Sequence, residues 1–362
     1  MNNRLSRLRA ALAERGLPAL LVSAPANRRY ISGFSGSNGA LLITAEVAML
    51  FTDGRYVIQA GRESPDFSLR EIVNPGRTLA DLLAEAAVEL NLRMLNFEAA
   101  HMSVAEHYAL TKAMFDTPVE LDPAEGVVES LREVKDDGEV ATLRKAVAIT
   151  DAAITAVIPH LRPEMSERQV AWMLEVAMRE GGADGISFPI IVAAGPNSAL
   201  PHARPSADPL GVGRPIIIDM GAMLGGYHAD LSRTICLGEP DAQFWTIYTI
   251  VLDAQRRALA GLRPGLRCNA ADALARDHIT AAGYGEQFGH GLGHGVGLNI
   301  HEGPSLRRAA VGHEQNGPRL QAGNVTSVEP GIYLEGWGGV RIEDLALITA
   351  DGCEVLSTAH KL

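Results

Sequence analysis

Four acids and three histidines in the second half of the chain are spaced for chemistry. Asp219 ends the apolar run Ile216-Ile217-Ile218, and Asp230 follows it beyond Gly225-Gly226. A glycine pair suits the tight turn of a hairpin. With the turn centred between Leu224 and Gly225, the two aspartates fall directly opposite each other. Opposed positions on antiparallel strands hold their Cβ atoms about 4.5–5.5 Å apart. Carboxylates that close repel unless a cation stands between them. Cross-strand arginines would serve as well as a divalent metal, so the pair alone does not decide.

Glu329 and Glu343 repeat the pattern. Glu329 lies in TSVEPG, where Pro330 holds it extended. Glu343 lies in GGVRIEDLALIT, two residues after Arg341 and therefore on the same strand face. A surface ladder of salt bridges would look similar, but Val340, Ile342, Leu345 and Leu347 argue for a buried strand. Between the acidic pairs stands GHGLGHGVGLNIHEGP, residues 289–304, read as a glycine-dense loop carrying His290, His294 and His301. The glycines let backbone wrap closely around a site. The segment fits neither a GxGxxG dinucleotide loop nor HExxH. One imidazole with four carboxylates favours hard or borderline ions such as Mn²⁺ or Co²⁺ over a thiolate-type zinc site. Five ligands on one ion would leave little room for substrate. Shared by two ions about 3.5–4 Å apart, carboxylates bridge, and a bridging water becomes a hydroxide near neutral pH. That is the design of a hydrolase.

The elements that must position these residues follow from periodicity. The first third alternates helix and strand. It has a helix over 3–15, a buried strand over 18–23, a hairpin of 39–44 with 48–53, a helix near 78–91, a strand over 94–99 and a helix near 103–115. This is an α/β domain, residues 1–125. The second domain, residues 126–362, opens with a helix from about 137 to 160, which Pro163 stops. Ser166 with Gln169 forms a capping box for the next helix. Strand-like segments at 188–194, 214–222 and 227–237 follow. Helices fit 241–262 and 270–282, the latter with Asn269 as its cap. From 324 onward the chain is strand-like. IIIDMGAMLGGYHADLSRT and TSVEPGIYLEGWGGVRIEDLALIT share a strand–acid–turn–strand–acid pattern, which implies two related half-domains facing each other.

Composition narrows the class further. A net charge of −11 argues against a nucleic-acid surface. Cys236, Cys268 and Cys353 are odd in number and lack metal spacing, as expected of reduced thiols in a cytoplasmic protein. No stretch has the apolar length of a signal peptide or a membrane span.

Taken together, the motifs IIIDMGA, HADLSRT, GHGVGLNIHEGP, SVEPGIY and VRIED, in this order and spacing, resemble those of the pita-bread metallopeptidases. That family includes proline dipeptidase, aminopeptidase P and methionine aminopeptidase. ISGFSGSNG and TDGRY resemble the creatinase/prolidase N-terminal domain, which methionine aminopeptidases usually lack. The resemblance implies an α/β N-terminal domain, an α+β pita-bread catalytic domain, and cleavage of the Xaa-Pro bond at the N-terminus of dipeptides or short peptides. It assigns Asp219, Asp230, His294, Glu329 and Glu343 as ligands of two divalent ions, Mn²⁺ first, with Co²⁺ or Zn²⁺ as alternatives. Glu329 would also shuttle the proton. His202 and His301 would contact the scissile amide and steady the oxyanion, and His290 and Arg341 would shape the proline side. The partners implied are short proline-containing peptides and a second copy in a homodimer, with neither nucleic acid nor membrane. A methionine-type aminopeptidase and a non-catalytic binding module are the alternatives; binding modules of this fold have typically lost ligands, and this chain keeps all five. Two positions depart from the pattern. The tyrosine usual five residues after the first aspartate is Leu224. The arginine with which some dipeptidases hold the substrate carboxylate aligns with Gln315, leaving Arg307, Arg308 or Arg319 as substitutes.

Overall fold

The structure is a computed structural model, and it describes residues 3–362 apart from Asn74, Val311, Glu314 and Asn316. The chain forms two compact units, Met1–Arg132 and Glu133–Leu362.

In the first unit, α1 (Asn3–Arg15) buries Leu5, Leu8 and Leu12, the one-face spacing of an amphipathic helix. Six strands build one mixed sheet: β1 (Ala19–Val22), β2 (Ala40–Thr44), β3 (Ala48–Asp53), β4 (Ser68–Ile72), β5 (Met94–Glu98) and β6 (Glu120–Ala124), in the order β4-β3-β2-β1-β5-β6. The expected hairpin is β2 against β3, pairing Ala40 with Phe51. β1, whose residues are all buried, lies near the centre of the sheet. Five helices accompany the sheet: α2 (Pro25–Ser32), α3 (Val57–Glu63), α4 (Leu79–Glu89), α5 (Val104–Met114) and α6 (Val127–Glu133). The sequence reading missed α2, α3, α6, β4 and β6, which are short and whose signals are not periodic enough to see. α2 has no side-chain cap of its own. The buried Glu98 of β5 substitutes, accepting the N–H groups of Ser23 and Ala24 at 2.7 Å each.

The second unit opens with α7 (Asp137–Val157) and α8 (Glu167–Glu180), the latter started by the expected Ser166/Gln169 capping box. β7 (Gly185–Ile186) and β8 (Ile191–Ala194) lead to a long hairpin that is broken in the middle. Its outer arms are β9 (Pro215–Met220) and β12 (Leu231–Cys236), and its tip is β10 (Ala222–Leu224) with β11 (Tyr227–His228). Helices α9 (Ala242–Gly261) and α10 (Cys268–Ala281) follow. Asn269 does not cap α10. The helix starts two residues earlier, with Arg267 in the cap position, because Arg267 pairs with Arg319 and the Cys268 N–H bonds the Pro318 carbonyl at 2.9 Å.

After β13 (Gly293–Gly295) and β14 (Glu302–Leu306) comes a second broken hairpin. Its arms are β15 (Val325–Val328) and β18 (Asp344–Ile348), and its tip is β16 (Gly331–Leu334) with β17 (Gly338–Arg341); β19 (Cys353–Val355) edges the sheet. Each hairpin has its own core. Ile216, Ile218 and Leu231 pack with Ile154 of α7 and Leu174 of α8. Val328, Ile332 and Val340 pack with Val251 of α9 and Ile279 of α10. Each such side chain contributes about 1.5–3 kcal/mol by leaving water. The repeated sequence pattern is therefore a repeated unit, a helix pair carrying a bent hairpin, with its acids at the bend.

Candidate active site

The first hairpin turns at Gly225 and Gly226, whose φ values of 58° and 79° are those of a type I′ turn. Two positive-φ residues must occupy the two central positions, so Leu224 pairs with Tyr227. This corrects the expected register. Asp219 lies opposite Ser232, and Asp230 sits on the diagonal, just beyond the arm β12. Diagonal neighbours on one face are about 7–8 Å apart, still within reach of a shared ion. In the second hairpin Val328 pairs with Asp344, and one further step sets Glu329 against Glu343. There the ladder opens. The Glu329 N–H bonds the Leu292 carbonyl at 2.8 Å and the Glu343 N–H bonds the Ser232 carbonyl at 3.0 Å.

His294 arrives on β13, in a stretch expected to be loop. Glycine has little strand propensity, but only glycine fits here: a Cβ on Gly293 would overlap the Ser327 carbonyl, and one on Gly295 the Gly303 carbonyl. The His294 ring is oriented by its Nδ1, which donates to the Gly295 carbonyl at 3.2 Å. That leaves Nε2 facing Asp230 Oδ2 at 3.6 Å and Glu329 Oε1 at 3.3 Å. A backbone acceptor on the far nitrogen is the usual way to aim a histidine ligand.

The donor set fits divalent metal. Ligand atoms of Asp230, His294 and Glu343 lie within 4.8 Å of one another. Asp219 Oδ1 and Glu343 Oε1 are buried with no hydrogen-bond partner, and orphan carboxylate oxygens are costly unless a cation takes them. Burial and the Asp219 charge push Asp230 well above the usual carboxylate range, and burial with the Asp230 charge does the same to Glu343. Burial also raises Glu329, but the His294 hydrogen bond and charge outweigh it and bring Glu329 to about 2. The same pair lifts His294 to about 9 against the pull of burial. Apart from that histidine contact, Arg341 is the one cation among the described residues that pairs with a member of the cluster, Nη2 to Asp219 Oδ2 at 2.7 Å.

Arg341 also organises the next layer. Its Nε donates to Ser232 Oγ at 2.8 Å, and Ser232 Oγ donates to Glu343 Oε2 at 2.9 Å. Its Nη1 donates to the Tyr333 hydroxyl at 2.9 Å, which lies 2.9 Å from His290 Nε2. His290 Nδ1 is 2.8 Å from the Gly291 carbonyl. A carbonyl only accepts, so Nδ1 carries the hydrogen and Nε2 accepts from Tyr333. Burial keeps His290 below its ordinary value and hence neutral. With both nitrogens engaged, His290 offers the cavity ring surface. Sequence reasoning missed Ser232, Ser327 and Tyr333. The available signals were strand parity, two residues after Asp230 for Ser232 and two before Glu329 for Ser327, and for Tyr333 its place in the same SVEPGIY motif.

The four acids, His294, His290 and Arg341 line a cavity of about 520 Å³, together with His202, His301, Phe188, Ile300, Arg204 and Arg307. The His301 ring stands edge-on to His294 with centroids 4.3 Å apart. Arg307 packs beside Gly291, where an added Cβ would come within 3.1 Å of the Arg307 Cβ. Arg308, Arg319 and the exposed Gln315 do not line the cavity, and Arg319 is committed to the Gly265 carbonyl at 2.6 Å. Leu224 is half-buried and off the cavity, and its cross-strand partner Tyr227 donates to Glu139 at 2.8 Å.

Bent twin hairpins with facing acids and a glycine-borne histidine define a pita-bread metallohydrolase. Residues 141–350 match metallopeptidase family M24, and residues 4–134 match the creatinase/prolidase N-terminal domain. The chain belongs to metallopeptidase family M24. It is 39% identical to a structure of Xaa-Pro dipeptidase from Bacillus anthracis, covering 99% of this chain and 98% of that one, with a TM-score of 0.93. It is 37% identical to an X-Pro aminopeptidase from Thermotoga maritima, covering 97% and 98%, with a TM-score of 0.87. An uncharacterized peptidase of Bacillus subtilis is 38% identical, over 99% of this chain and 98% of its own length. Among the described residues no helix is long and apolar enough to cross a membrane.

Proposed function

We propose that this protein is an Xaa-Pro exopeptidase using two divalent ions, Mn²⁺ before Co²⁺ or Zn²⁺, and acting as a homodimer on short proline-containing peptides. The observation that carries the reading is the buried set of four carboxylates and one imidazole at the floor of a peptide-sized cavity, with two carboxylate oxygens unpartnered. Asp219, Asp230, His294, Glu329 and Glu343 would hold the ions. When bound, such ions polarise a carbonyl and lower the pKa of a water. The protein's own part is orientation and proton handling. Glu329 Oε1 is fixed by Ser327 Oγ at 3.2 Å and by His294, so Oε2 is the atom to take a proton and return it to the leaving nitrogen. His202 and His301 face the scissile amide from the cavity wall. Arg341 and Tyr333 fix His290, whose ring face suits a proline ring. Proline brings no amide N–H, whereas another residue would bury an unpaired donor at about 1–3 kcal/mol.

A dipeptide is the preferred substrate. Arg307 stands on the His290 side, and neither it nor Arg204 has an ion-pair partner among the described residues. A carboxylate directly after proline would meet one or both. The test is activity of Mn²⁺-reconstituted protein on Ala-Pro, Ala-Pro-Ala, Ala-Ala and Met-Ala-Ala. Ala-Pro should lead. Equal rates on Ala-Pro and Ala-Ala would exclude proline specificity, and a lead for Met-Ala-Ala would favour the methionine-type enzyme.

A further inference from the structure

The two hairpins meet not only at the acids but also behind them. Ser232 and Arg233 are neighbours on β12, so their side chains point to opposite faces. Ser232 reaches Glu343 Oε2 from the cavity side. Arg233, 1% exposed, reaches the same residue from behind, donating through Nη1 to the Glu343 carbonyl at 2.5 Å. Its Nη2 pairs with Asp344 Oδ1 at 2.8 Å. The Glu343 peptide is thus gripped by one dipeptide of the other hairpin.

What holds Arg233 in turn is a segment far along the chain. The Ala359 carbonyl accepts from Arg233 Nη2 at 2.7 Å and from Nε at 3.2 Å, and the His360 carbonyl accepts from Nε at 3.2 Å. Lys361 Nζ donates to Asp344 Oδ2 and, at 2.8 Å, to Gln255 Oε1. Gln255 itself bonds Asp344 Oδ2 at 3.1 Å and the Val328 carbonyl, next to Glu329, at 3.2 Å. The segment is anchored at its other end, where Thr358 bonds Asp151 Oδ2 through its N–H at 2.6 Å and Ser357 Oγ accepts the Leu345 N–H at 3.1 Å. Arg233 and Asp344 are both about fully buried, so neither has water as an alternative partner.

We propose that residues Ser357–Lys361 form a strap that positions Glu343 in the metal centre, acting through Arg233 and Asp344. The strap touches neither substrate nor metal. Its residues are positioning residues, and the inference rests on the metallopeptidase reading. Loosening it should let the Glu343 backbone drift, which weakens metal binding and slows turnover while leaving the cavity walls, and so KM, alone. Outer contacts of this kind typically change metal affinity or activity about 10–100-fold.

The experiment titrates metal-free protein with Mn²⁺ by calorimetry for wild type, Lys361→Met, Lys361→Arg and Arg233→Lys, and follows thermal unfolding of the same metal-free samples. Lys361→Met should bind Mn²⁺ about tenfold more weakly and lose kcat with KM unchanged, while Lys361→Arg restores most of both. Arg233→Lys keeps the charge but loses the fork, and should lose more if it folds. Lys361→Met protein that unfolds earlier yet binds Mn²⁺ like wild type overturns the inference, because the strap then serves stability alone. Wild-type protein that takes up no Mn²⁺ overturns the metallopeptidase reading, and the strap with it.

Discussion

The two broken hairpins do the same work with different geometry. The first turns on two glycines and offsets its acids onto a diagonal, Asp219 beside Ser232 and Asp230 beyond it. The second turns over three residues between Leu334 and Gly338 and keeps Glu329 and Glu343 in register. Short acids go with the offset and longer acids with direct opposition. The hairpins also complete each other. Arg341 of the second neutralises Asp219 of the first, and Ser232 of the first orients Glu343 of the second. Neither hairpin is a site by itself, so a change in one should be read out by the other.

The largest break in this symmetry is to remove an acid. We predict that Asp230→Asn and Glu343→Gln each lose Mn²⁺ binding and activity by more than the roughly 10–100-fold typical of an outer contact. Removing one carboxylate also relieves repulsion among the rest, so the metal-free variants should melt no lower than wild type. Bound metal counted by atomic absorption, beside turnover on Ala-Pro, checks both; two ions with normal turnover in either variant would refute the ligand assignment. Next come the serines. Ser232→Ala frees Glu343 Oε2 and Arg341 Nε, while Ser327→Ala frees Glu329 Oε1 and the His294 N–H at 3.0 Å. Each should cost about 10–100-fold in kcat/KM. If the reciprocal wiring is right, Ser232→Ala will weaken Mn²⁺ as much as Ser327→Ala does, although Ser232 lies on the other hairpin from the carboxylate it holds.

Much of this was legible in the sequence. The four acids stood out as two facing pairs at the ends of apolar runs, and the resemblance to the metallopeptidase motifs singled out His294 among the three histidines as their companion. The register was misread because two glycines do not reveal which turn positions they occupy, and one residue of turn moves every pair. β13 escaped notice because its glycines are chosen for close approach, which leaves no pattern of apolar side chains. Ser232, Ser327 and Tyr333 were missed for a different reason. They act on other functional groups, and only three-dimensional proximity shows which. Of the three arginines expected in place of Gln315, Arg307 lines the cavity and Arg308 and Arg319 do not, while Arg204, remote in sequence, joins it there, a neighbourhood that spacing alone cannot trace.

A smaller effect separates the turns. Gly226 has φ of 79°, and Gly336 at the second tip has φ of 80°. Alanine at either must adopt the left-handed region, at about 1–2 kcal/mol. The first turn needs two such residues in a two-residue loop and tolerates no alternative, whereas a three-residue loop can shift. Gly226→Ala should therefore lower the urea midpoint more than Gly336→Ala. Equal losses would mean that turn type does not set the register here.

The smallest effect concerns Leu224, which pairs with Tyr227 at the tip of the first hairpin. Asp230 accepts no hydrogen bond among the described residues, and its nearest cation is His294 Nε2 at 3.6 Å. A tyrosine at 224, as in the proline-specific relatives that the motifs resemble, would add a hydroxyl on the hairpin that carries Asp230. A hydrogen bond to a charged group is worth about 1.5–3 kcal/mol when well made, less whatever the new ring loses in packing at a half-buried site. Leu224 also lies off the cavity, so the substrate should not feel the change directly. We predict that Leu224→Tyr strengthens Mn²⁺ binding by less than about tenfold and leaves KM for Ala-Pro unchanged. Calorimetric titration decides it. Unchanged affinity would show that the hydroxyl does not reach an acid, and weaker affinity would show that the first hairpin is packed around leucine and that its offset acids need no help from that side.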